Sequence, residues 1–281
     1  MTLVMVWREG WWEAPITQKI WVVSDSRLSQ PGETSGRVRF SDRAAKILEI
    51  PVTLYGPNPR PTLLRSATFG FAYTGSTLVA LQAYTAILPL WSRLQTSGTE
   101  TYLPSLEDFA DHLAGFVDGY AREIAGSGGD ANCQCLLIGR DDPTGRLEAW
   151  MIEFTHTSAS ADLHKRSIKL PKANPVEFFG TGSDAAKKRL DALPPRRVAE
   201  LRRPLTMIRT LLHDDVEETI GGGVQIGLLS PEGFEVHFDA ENLTIGMPIG
   251  RPLVDMRFRG FDFYEISTVG FAFSTLRGIG G

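Results

Sequence analysis

The sequence predicts an α+β fold in which antiparallel sheets carry helices on their outer faces. Segments rich in β-branched and aromatic residues, typical of strands, are separated by two pairs of segments with helical periodicity. Their order along the chain is strands, two helices, strands, two helices, strands, which suits sheets covered by helices. The sequence has no internal repeat and no convincing linker, so we predict one domain over residues 1–281.

Short runs with strand composition account for most of the predicted sheet residues. They cover residues 3–7, 20–24, 45–50, 52–55, 68–76, 133–138, 147–154, 176–180, 224–229 and 234–238. The first two should form a hairpin, and its long loop at 10–17 carries Trp11 and Trp12. Residues 30–41 are polar and contain glycine, so we predict a loop there. We expect the tryptophan loop and the chain after residue 238 to contact other subunits.

Four segments with helical periodicity predict the helices. The first begins after residue 76 with one apolar face, and Pro89 should kink or end it. That face consists of Leu81, Tyr84, Leu88 and Trp91. The second begins with a capping box of Ser105 and Asp108 and keeps an apolar stripe to residue 124. The third should cover residues 181–190, and the fourth should carry the apolar positions between 201 and 216.

Composition narrows the class of protein. The chain has 281 residues, 42% of them hydrophobic and 22% charged, and no apolar run long enough to span a membrane. We therefore expect a cytoplasmic protein. The net charge is −4 with dispersed basic residues, which does not favour nucleic acid. Cys133 and Cys135 lie in an apolar segment and are predicted to be reduced core residues. No metal or nucleotide cofactor is expected, because ligand clusters and a Walker lysine are missing from the sequence.

Thr2 directly follows the initiator methionine. If Met1 is removed, Thr2 carries a free α-amine and a hydroxyl, and the amine can act as the base for the hydroxyl nucleophile. This arrangement predicts an N-terminal threonine nucleophile. How strongly the sequence supports this prediction depends on the segments further along the chain.

Five such segments agree in order and spacing with one family of hydrolases. They are Val-Val-Ser-Asp-Ser-Arg at 22–27, Ala-Lys-Ile at 45–47, Gly-Phe-Ala-Tyr-Thr-Gly-Ser at 70–76, Phe-Gly-Thr-Gly-Ser at 179–183 and Gly-Gly-Gly-Val-Gln-Ile-Gly-Leu at 221–228. With Thr2, they make residues 2–238 resemble the proteasome family of N-terminal nucleophile (Ntn) hydrolases. That family includes proteasome β-subunits, bacterial HslV and a further bacterial proteasome-like group.

The resemblance implies a four-layer αββα sandwich, with residues 239–281 as a C-terminal extension. It also implies assembly into a homo-oligomeric ring with enclosed active sites, a peptide or unfolded-protein substrate, and a separate ATPase unfoldase as a partner. In the catalytic set that it implies, Thr2 Oγ is the nucleophile. Lys46 tunes the amine and the hydroxyl electrostatically, and Asp25 holds Lys46 charged and oriented.

Further site residues come from the same resemblance. Ser29 matches a hydroxyl residue on the segment that aligns an extended peptide as an added strand. The oxyanion should be bound by a backbone N–H among Ala72, Tyr73 and Thr74. Thr181 matches a serine near the nucleophile.

One part of the resembled site is altered in this sequence. Glu217 or Glu218 would supply the remaining carboxylate, and Thr219 a hydroxyl, only in a shifted register. In the simplest register Ile220 replaces the serine of the family. The residues therefore leave open whether the outer polar part of the site is complete.

The sequence supports three hypotheses of function. The first is an N-terminal threonine peptidase in a self-compartmentalising oligomer. The second is a catalytically inactive proteasome-like scaffold subunit, in which Met1 is retained or the altered site is disabled. The third keeps the threonine chemistry but acts on a small amide, because neither the fold nor the site fixes the size of the substrate.

Overall fold

The computed structural model describes residues 3–9, 18–31, 37–57, 61–170, 176–193, 203–214, 220–240, 256–258, 261–262 and 278–280. Six residues singled out from the sequence lie outside these ranges, namely Thr2, Trp11, Trp12, Glu217, Glu218 and Thr219. The predictions made for these residues therefore remain predictions.

The described elements follow one another along the chain as sixteen strands and four helices. The strands are β1 (Val4–Glu9), β2 (Lys19–Ser24), β3 (Leu28–Pro31), β4 (Arg37–Ser41), β5 (Ile47–Tyr55), β6 (Leu63–Gly75), β7 (Leu94–Gln95), β8 (Cys133–Arg140), β9 (Leu147–His156), β10 (Ala161–Ser167), β11 (Glu177–Phe179), β12 (Gln225–Ser230), β13 (Gly233–Ala240), β14 (Met256–Phe258), β15 (Phe261–Asp262) and β16 (Gly278–Gly280). The helices are α1 (Thr77–Trp91), α2 (Leu106–Gly126), α3 (Ser183–Ala192) and α4 (Arg203–Asp214).

Most of the described strands form two sheets. The first has the order β11-β1-β2-β12-β13-β14-β15, with β16 beside β13, and the second has the order β10-β9-β8-β6-β5-β7. Neighbouring strands are antiparallel except for the pairs β13–β16 and β5–β7. Strands β3 and β4 form a separate two-stranded ribbon.

Three apolar clusters define four layers. One cluster joins α1 and α2 to the second sheet, one joins α3 and α4 to the first sheet, and one fills the space between the sheets. The side chains of β1 alternate between two of these clusters. Val4 and Val6 face the other sheet, whereas Met5 and Trp7 face α3 and α4. A strand buried on both faces needs a continuous apolar run. The fold is the predicted α+β fold, a four-layer αββα sandwich.

Helix α2 forms as its sequence predicts. The Ser105 hydroxyl accepts a hydrogen bond from the Asp108 N–H, and the Asp108 carboxylate accepts one from the Ser105 N–H. In α1, the helix continues two residues past Pro89. The buried face of α1 consists of Val79, Ala80, Ala83, Ile87 and Trp91. The predicted Leu81, Tyr84 and Leu88 lie at its border, half-buried.

Three predictions of local structure were wrong. Residues 37–41 form β4 rather than a loop, although Phe40 is 74% exposed, so the strand depends on pairing with β3. The two short strands before Tyr55 are one strand, β5, which continues through Pro51. Proline is tolerated there because β7 pairs only near the end of β5, which leaves Pro51 on an open edge. Strand β10 was missed because its largely exposed edge position selects polar residues.

None of the described helices is long and apolar enough to cross a membrane.

Candidate active site

Asp25 is the centre of the candidate site. It directly follows β2, and its side chain is completely buried. Oδ1 accepts hydrogen bonds from the Leu3 N–H and from Lys46 Nζ, each at 3.0 Å. Oδ2 accepts from the N–H of Arg27 at 3.0 Å and of Gly221 at 3.2 Å. Four donors therefore fix the position and orientation of the carboxylate.

Lys46 is the buried cation of the site. It immediately precedes β5, and its side chain, like that of Asp25, has no solvent exposure. Burial lowers the pKa of Lys46, and the charge of Asp25 and the hydrogen bond to it oppose this effect. Asp25 therefore holds the ammonium in place, while the surrounding protein makes its proton easier to remove.

Gln225 binds the main chain on both sides of this pair. Its Oε1 accepts hydrogen bonds from the N–H of Lys46 at 2.9 Å and of Ile47 at 3.3 Å. Its Nε2 donates to the carbonyl oxygens of Asp25 at 3.2 Å and Ala44 at 2.6 Å. Gln225 is the first residue of β12, so its side chain links the first sheet to the start of β5 in the second. It is a positioning residue for the Asp25–Lys46 pair.

The glycine segment before β12 packs closely against the segment after β2. The Gly223 N–H donates to Ser26 Oγ at 2.7 Å, and the Ser26 N–H donates to the Gly221 carbonyl at 3.1 Å. Gly222 has a φ of +78°, and a Cβ there would lie 2.4 Å from Ser26 Oγ. This close approach explains the need for glycine at position 222.

The Arg27 guanidinium extends the hydrogen-bond network around Asp25. Its Nε donates to Asp42 Oδ1 at 2.8 Å, and its Nη1 donates to the Ile220 carbonyl at 3.0 Å. The Ile220 side chain is 1% exposed and belongs to the apolar cluster that includes Leu3 and Val224. Apolar packing therefore occupies the position where the resembled family has a serine.

A pocket of about 340 Å³ lies beside the candidate site. Thr74 and Gly75 of β6, Gln134 of β8 and Glu153 of β9 line it from the second sheet, and Thr181 lines it from the segment after β11. Because Phe179 pairs with Val4, Thr181 lies at the edge of the first sheet where β1 begins. This lining residue places the pocket near Leu3, since a Cβ at the adjacent Gly182 would lie 3.5 Å from the Leu3 Cβ.

Gln134 holds this pocket together. Its Oε1 accepts hydrogen bonds from Thr74 Oγ1 at 3.2 Å and from the Gly180 N–H at 3.1 Å. Its Nε2 donates to Glu153 Oε1 at 2.6 Å. The side chain therefore connects β6 and β9 with the glycine turn that precedes α3.

The backbone groups near the end of β6 point to alternate sides. The Tyr73 N–H donates to the Lys46 carbonyl at 3.3 Å, and the Ser76 N–H donates to the Asn132 carbonyl at 2.7 Å on the opposite side. Successive peptide groups of a strand alternate in direction, so the Gly75 N–H points to the side of Lys46, where β5 has not yet begun. The oxyanion donor was predicted among the N–H groups of Ala72 to Thr74. The next N–H, that of Gly75, lies beyond the pairing of β5 with β6.

Ser29 lies on β3, at a β-bulge in its pairing with β4. Its Oγ is buried and has no hydrogen-bond partner within the part of the chain that the structure describes.

The predicted site residues fall into two groups. Asp25 and Lys46 are in direct contact, and Thr74 and Thr181 line the same pocket. Sequence reasoning missed Gln134, Glu153 and Gln225. A polar side chain within an apolar run, such as Gln134 between Cys133 and Cys135, was the signal that could have indicated them. Both cysteines are buried and unbridged.

The four-layer αββα sandwich is a proteasome-like fold of the Ntn-hydrolase type. Solved structures agree with this class. Anbu from Hyphomicrobium sp. strain MC1 is similar, with 13% identity, 84% of each chain covered and a TM-score of 0.50. The helical assembly of the Anbu complex from Pseudomonas aeruginosa also has 13% identity, with 84% of this chain and 85% of that chain covered and a TM-score of 0.51.

No protein-family model matches the chain, and no curated protein matches it. These two solved structures are of Anbu, a family separate from proteasome β-subunits and HslV, so the assignment to the proteasome β-subunit and HslV family was wrong. The segments on which that assignment depended are the buried strands and glycine turns that build the site. Relatives that share the fold need such segments, so these segments indicate the fold and do not distinguish families within it.

Proposed function

We propose that the chain is an N-terminal threonine hydrolase that cleaves peptide bonds. The observation that carries the proposal is that one oxygen of Asp25 accepts hydrogen bonds from both the Leu3 N–H and Lys46 Nζ. Leu3 is covalently bonded to Thr2, the proposed nucleophile. Asp25 therefore anchors the residue next to the nucleophile and the buried cation at the same point.

The proposed reaction uses the α-amine that removal of Met1 frees. The amine accepts the proton of Thr2 Oγ while Oγ forms a bond to the substrate carbonyl carbon. The amine then returns that proton to the leaving nitrogen as the C–N bond breaks, which leaves an ester on Thr2. Water, deprotonated by the same amine, hydrolyses the ester and restores the hydroxyl.

Lys46 supplies positive charge in this scheme. An unperturbed α-amine has a pKa of about 7.7–8.0. A nearby ammonium lowers that pKa further, because two like charges oppose each other, and this increases the fraction of free base at neutral pH. The burial of Lys46 beside Asp25 supports the assignment, because water does not screen a buried charge.

Backbone and hydroxyl groups complete the proposed site. We assign the oxyanion contact to the Gly75 N–H, next to the predicted range of Ala72 to Thr74, because it points beyond the start of β5. Thr181 supplies a hydroxyl beside the pocket, and Ser29 lies on the segment proposed to align the peptide. Glu217 remains the proposed outer carboxylate.

We also propose that the chain assembles with copies of itself. The support is the likeness in fold to Anbu, which forms a helical assembly in Pseudomonas aeruginosa. An enclosed assembly would restrict the substrate to peptides and unfolded proteins and would leave room for an ATPase partner. Sedimentation velocity tests the assembly, because a monomer at micromolar concentration would contradict it.

A second candidate function is a catalytically inactive subunit of such an assembly. It is favoured by Ile220, whose side chain is packed in an apolar cluster where the resembled family has a hydroxyl. In this case Asp25 and Lys46 would stabilise the fold without catalysis.

The intact mass of the purified protein separates the two candidates. The protein is measured before and after incubation with a threonine-directed epoxyketone, with Thr2→Ala as the control. The hydrolase proposal predicts loss of Met1 and one adduct per chain, and no adduct on Thr2→Ala. Retained Met1 without an adduct would refute it and support the inactive subunit.

A further inference from the structure

Glu153 brings a carboxylate into the pocket beside the candidate site. Along β9, Trp150, Ile152 and Phe154 face α1 and α2, whereas Ala149 and Met151 face the other sheet. Glu153 lies two residues after Met151 and therefore on the same face of the strand, so its side chain points between the sheets. There it lines the pocket of about 340 Å³ together with Thr74, Gln134 and Thr181.

Part of the hydrogen-bonding capacity of this carboxylate remains unused. Glu153 Oε1 accepts one hydrogen bond, from Gln134 Nε2 at 2.6 Å. Within the described chain, this is the hydrogen bond that Glu153 accepts, and no ion pair involves it. A carboxylate has about four acceptor sites. Most of them are therefore available to a ligand in the pocket.

The groups around Glu153 do not neutralise it. Gln134 is held with its oxygen toward Thr74 and Gly180, so it presents its amide nitrogen to Glu153 and no charge. His164 lies opposite Glu153 on β10 and is exposed, and Arg166, two residues further, stacks over Phe179 with its Cζ 6.0 Å from the ring centroid. The described lining of the pocket contains one charged group, Glu153, and no lysine or arginine.

The pocket also adjoins the proposed oxyanion donor. Thr181 and Gly75 line it, and the Gly75 N–H is the proposed oxyanion donor. A substrate residue held in the pocket would therefore lie next to the bond that is cleaved. Its volume is within the range of pockets that take small ligands or single side chains, from about 300 Å³ upward.

We propose that this pocket selects a substrate with a primary ammonium or guanidinium group next to the scissile bond, and that Glu153 binds this group. The inference rests on the proposed function for the position of the bond. The binding of the cation depends only on the pocket. Charge-assisted hydrogen bonds from ammonium or guanidinium groups to a carboxylate are stronger than neutral ones, which gives the selectivity.

Binding is tested first on the Thr2→Ala protein, so that no reaction occurs. Butylammonium is titrated by NMR against butanol, its neutral counterpart. We expect butylammonium to bind more tightly than butanol, and Glu153→Gln to weaken butylammonium about tenfold, by the loss of one charge-assisted contact. Glutamine keeps the acceptor for Gln134 Nε2, so the pocket should stay intact.

Glu148→Gln is the matched control, because it removes the same charge from the same strand. The side chains of Glu148 and Glu153 lie on opposite faces of β9, and Glu148 shares its face with Trp150. We expect butylammonium to bind Glu148→Gln as it binds the parent protein. Equal binding of butylammonium and butanol, or unchanged binding in Glu153→Gln, would overturn the proposal.

A peptide library analysed by mass spectrometry then tests the position of the cation. The protein with native Thr2 should enrich lysine or arginine at one position beside the cleaved bond. Glu148→Gln should keep this enrichment, and Glu153→Gln should lose it. Cleavage without basic preference would overturn the inference and leave the hydrolase proposal intact. If nothing is cleaved but butylammonium binds through Glu153, the hydrolase proposal fails and the cation pocket stands.

Discussion

Lys46 Nζ lies 3.0 Å from Asp25 Oδ1, and neither side chain has any solvent exposure. A buried ion pair adds little net stability relative to apolar residues, but removal of one partner leaves an unpaired charge in the protein interior. In this chain the carboxylate also holds the N–H groups of Leu3, Arg27 and Gly221. The pair is therefore a structural junction as well as the proposed electrostatic centre of the reaction.

Asp25→Asn should destabilise the protein strongly. The variant leaves Lys46 without a counter-charge and turns an NH₂ group toward backbone donors, so we expect a loss of about 3–5 kcal/mol in the free energy of unfolding. Urea unfolding followed by circular dichroism measures it. Asp118→Asn is the control, because Asp118 pairs with Arg122 at the surface and should cost at most about 1 kcal/mol. Equal losses in the two variants would contradict the structural role of the buried pair.

The Lys46 ammonium should make stability depend on pH in the alkaline range. Burial lowers the pKa of Lys46 in the folded protein below the ordinary value of 10.5. Between the folded pKa and the unfolded pKa, the unfolded chain binds more protons than the folded chain, so stability must rise with pH there. The slope is at most about 1.4 kcal/mol per pH unit.

Lys46→Met removes this contribution. We expect the difference in unfolding free energy between native protein and variant to change as the pH approaches the ordinary lysine pKa of 10.5 from below, in favour of the native protein as pH rises. Urea unfolding at several pH values measures it, and the exposed Lys187→Met serves as the control. A constant difference across the range would show that burial does not perturb Lys46.

The sequence predicts the layers well because burial on two faces leaves a clear pattern. Strand β1 is apolar from Val4 to Trp7, and α2 has a capping box and one apolar face, so both were predicted. The edge elements were not predicted. In β4 and β10 the side chains are largely exposed. Their strand conformation depends on pairing with a neighbouring strand, and such pairing leaves no pattern in the local sequence.

The site was predictable only where a segment resembles a known family. Asp25 and Lys46 were predicted in this way, and the structure brings their side chains together. Gln225 and Gln134 act through contacts with residues far away in sequence, such as Asp25 and Gly180. Such long-range contacts follow from the strand order and register, which one sequence does not reveal.

Gln225→Leu should destabilise the protein more than its size suggests. The substitution conserves volume but removes the partner of the Lys46 N–H and of the Ala44 carbonyl, whereas the Asp25 carbonyl keeps the Ser24 hydroxyl as a donor. An unpaired buried polar group costs about 1–3 kcal/mol, so we expect a loss of about 3 kcal/mol or more. Thermal and urea unfolding measure it. Gln82→Leu, on the exposed side of α1, is the control and should change stability by at most about 0.5 kcal/mol.

Gly75→Ala tests the turn from β6 into α1. The N–H of Gly75 is the proposed oxyanion donor. Gly75 has a φ of +82°, and a Cβ there would lie 2.3 Å from the Asn132 carbonyl oxygen and 2.9 Å from the Cys133 Cα. A left-handed backbone costs an alanine about 1–2 kcal/mol, and the contact with backbone atoms adds to it. We therefore expect a loss of at least about 2 kcal/mol in unfolding free energy, together with a reduced rate of epoxyketone labelling at Thr2.

The same substitution at Gly115 should have the opposite effect on stability. Gly115 lies on the exposed side of α2, and a Cβ there meets no atom within 4 Å. Alanine is favoured over glycine in a helix by about 1 kcal/mol, so Gly115→Ala should raise the unfolding free energy. It should leave labelling unchanged because it is on a different element from the site. If both variants shifted stability in the same direction, the φ and the close contacts at Gly75 would not be what requires glycine there.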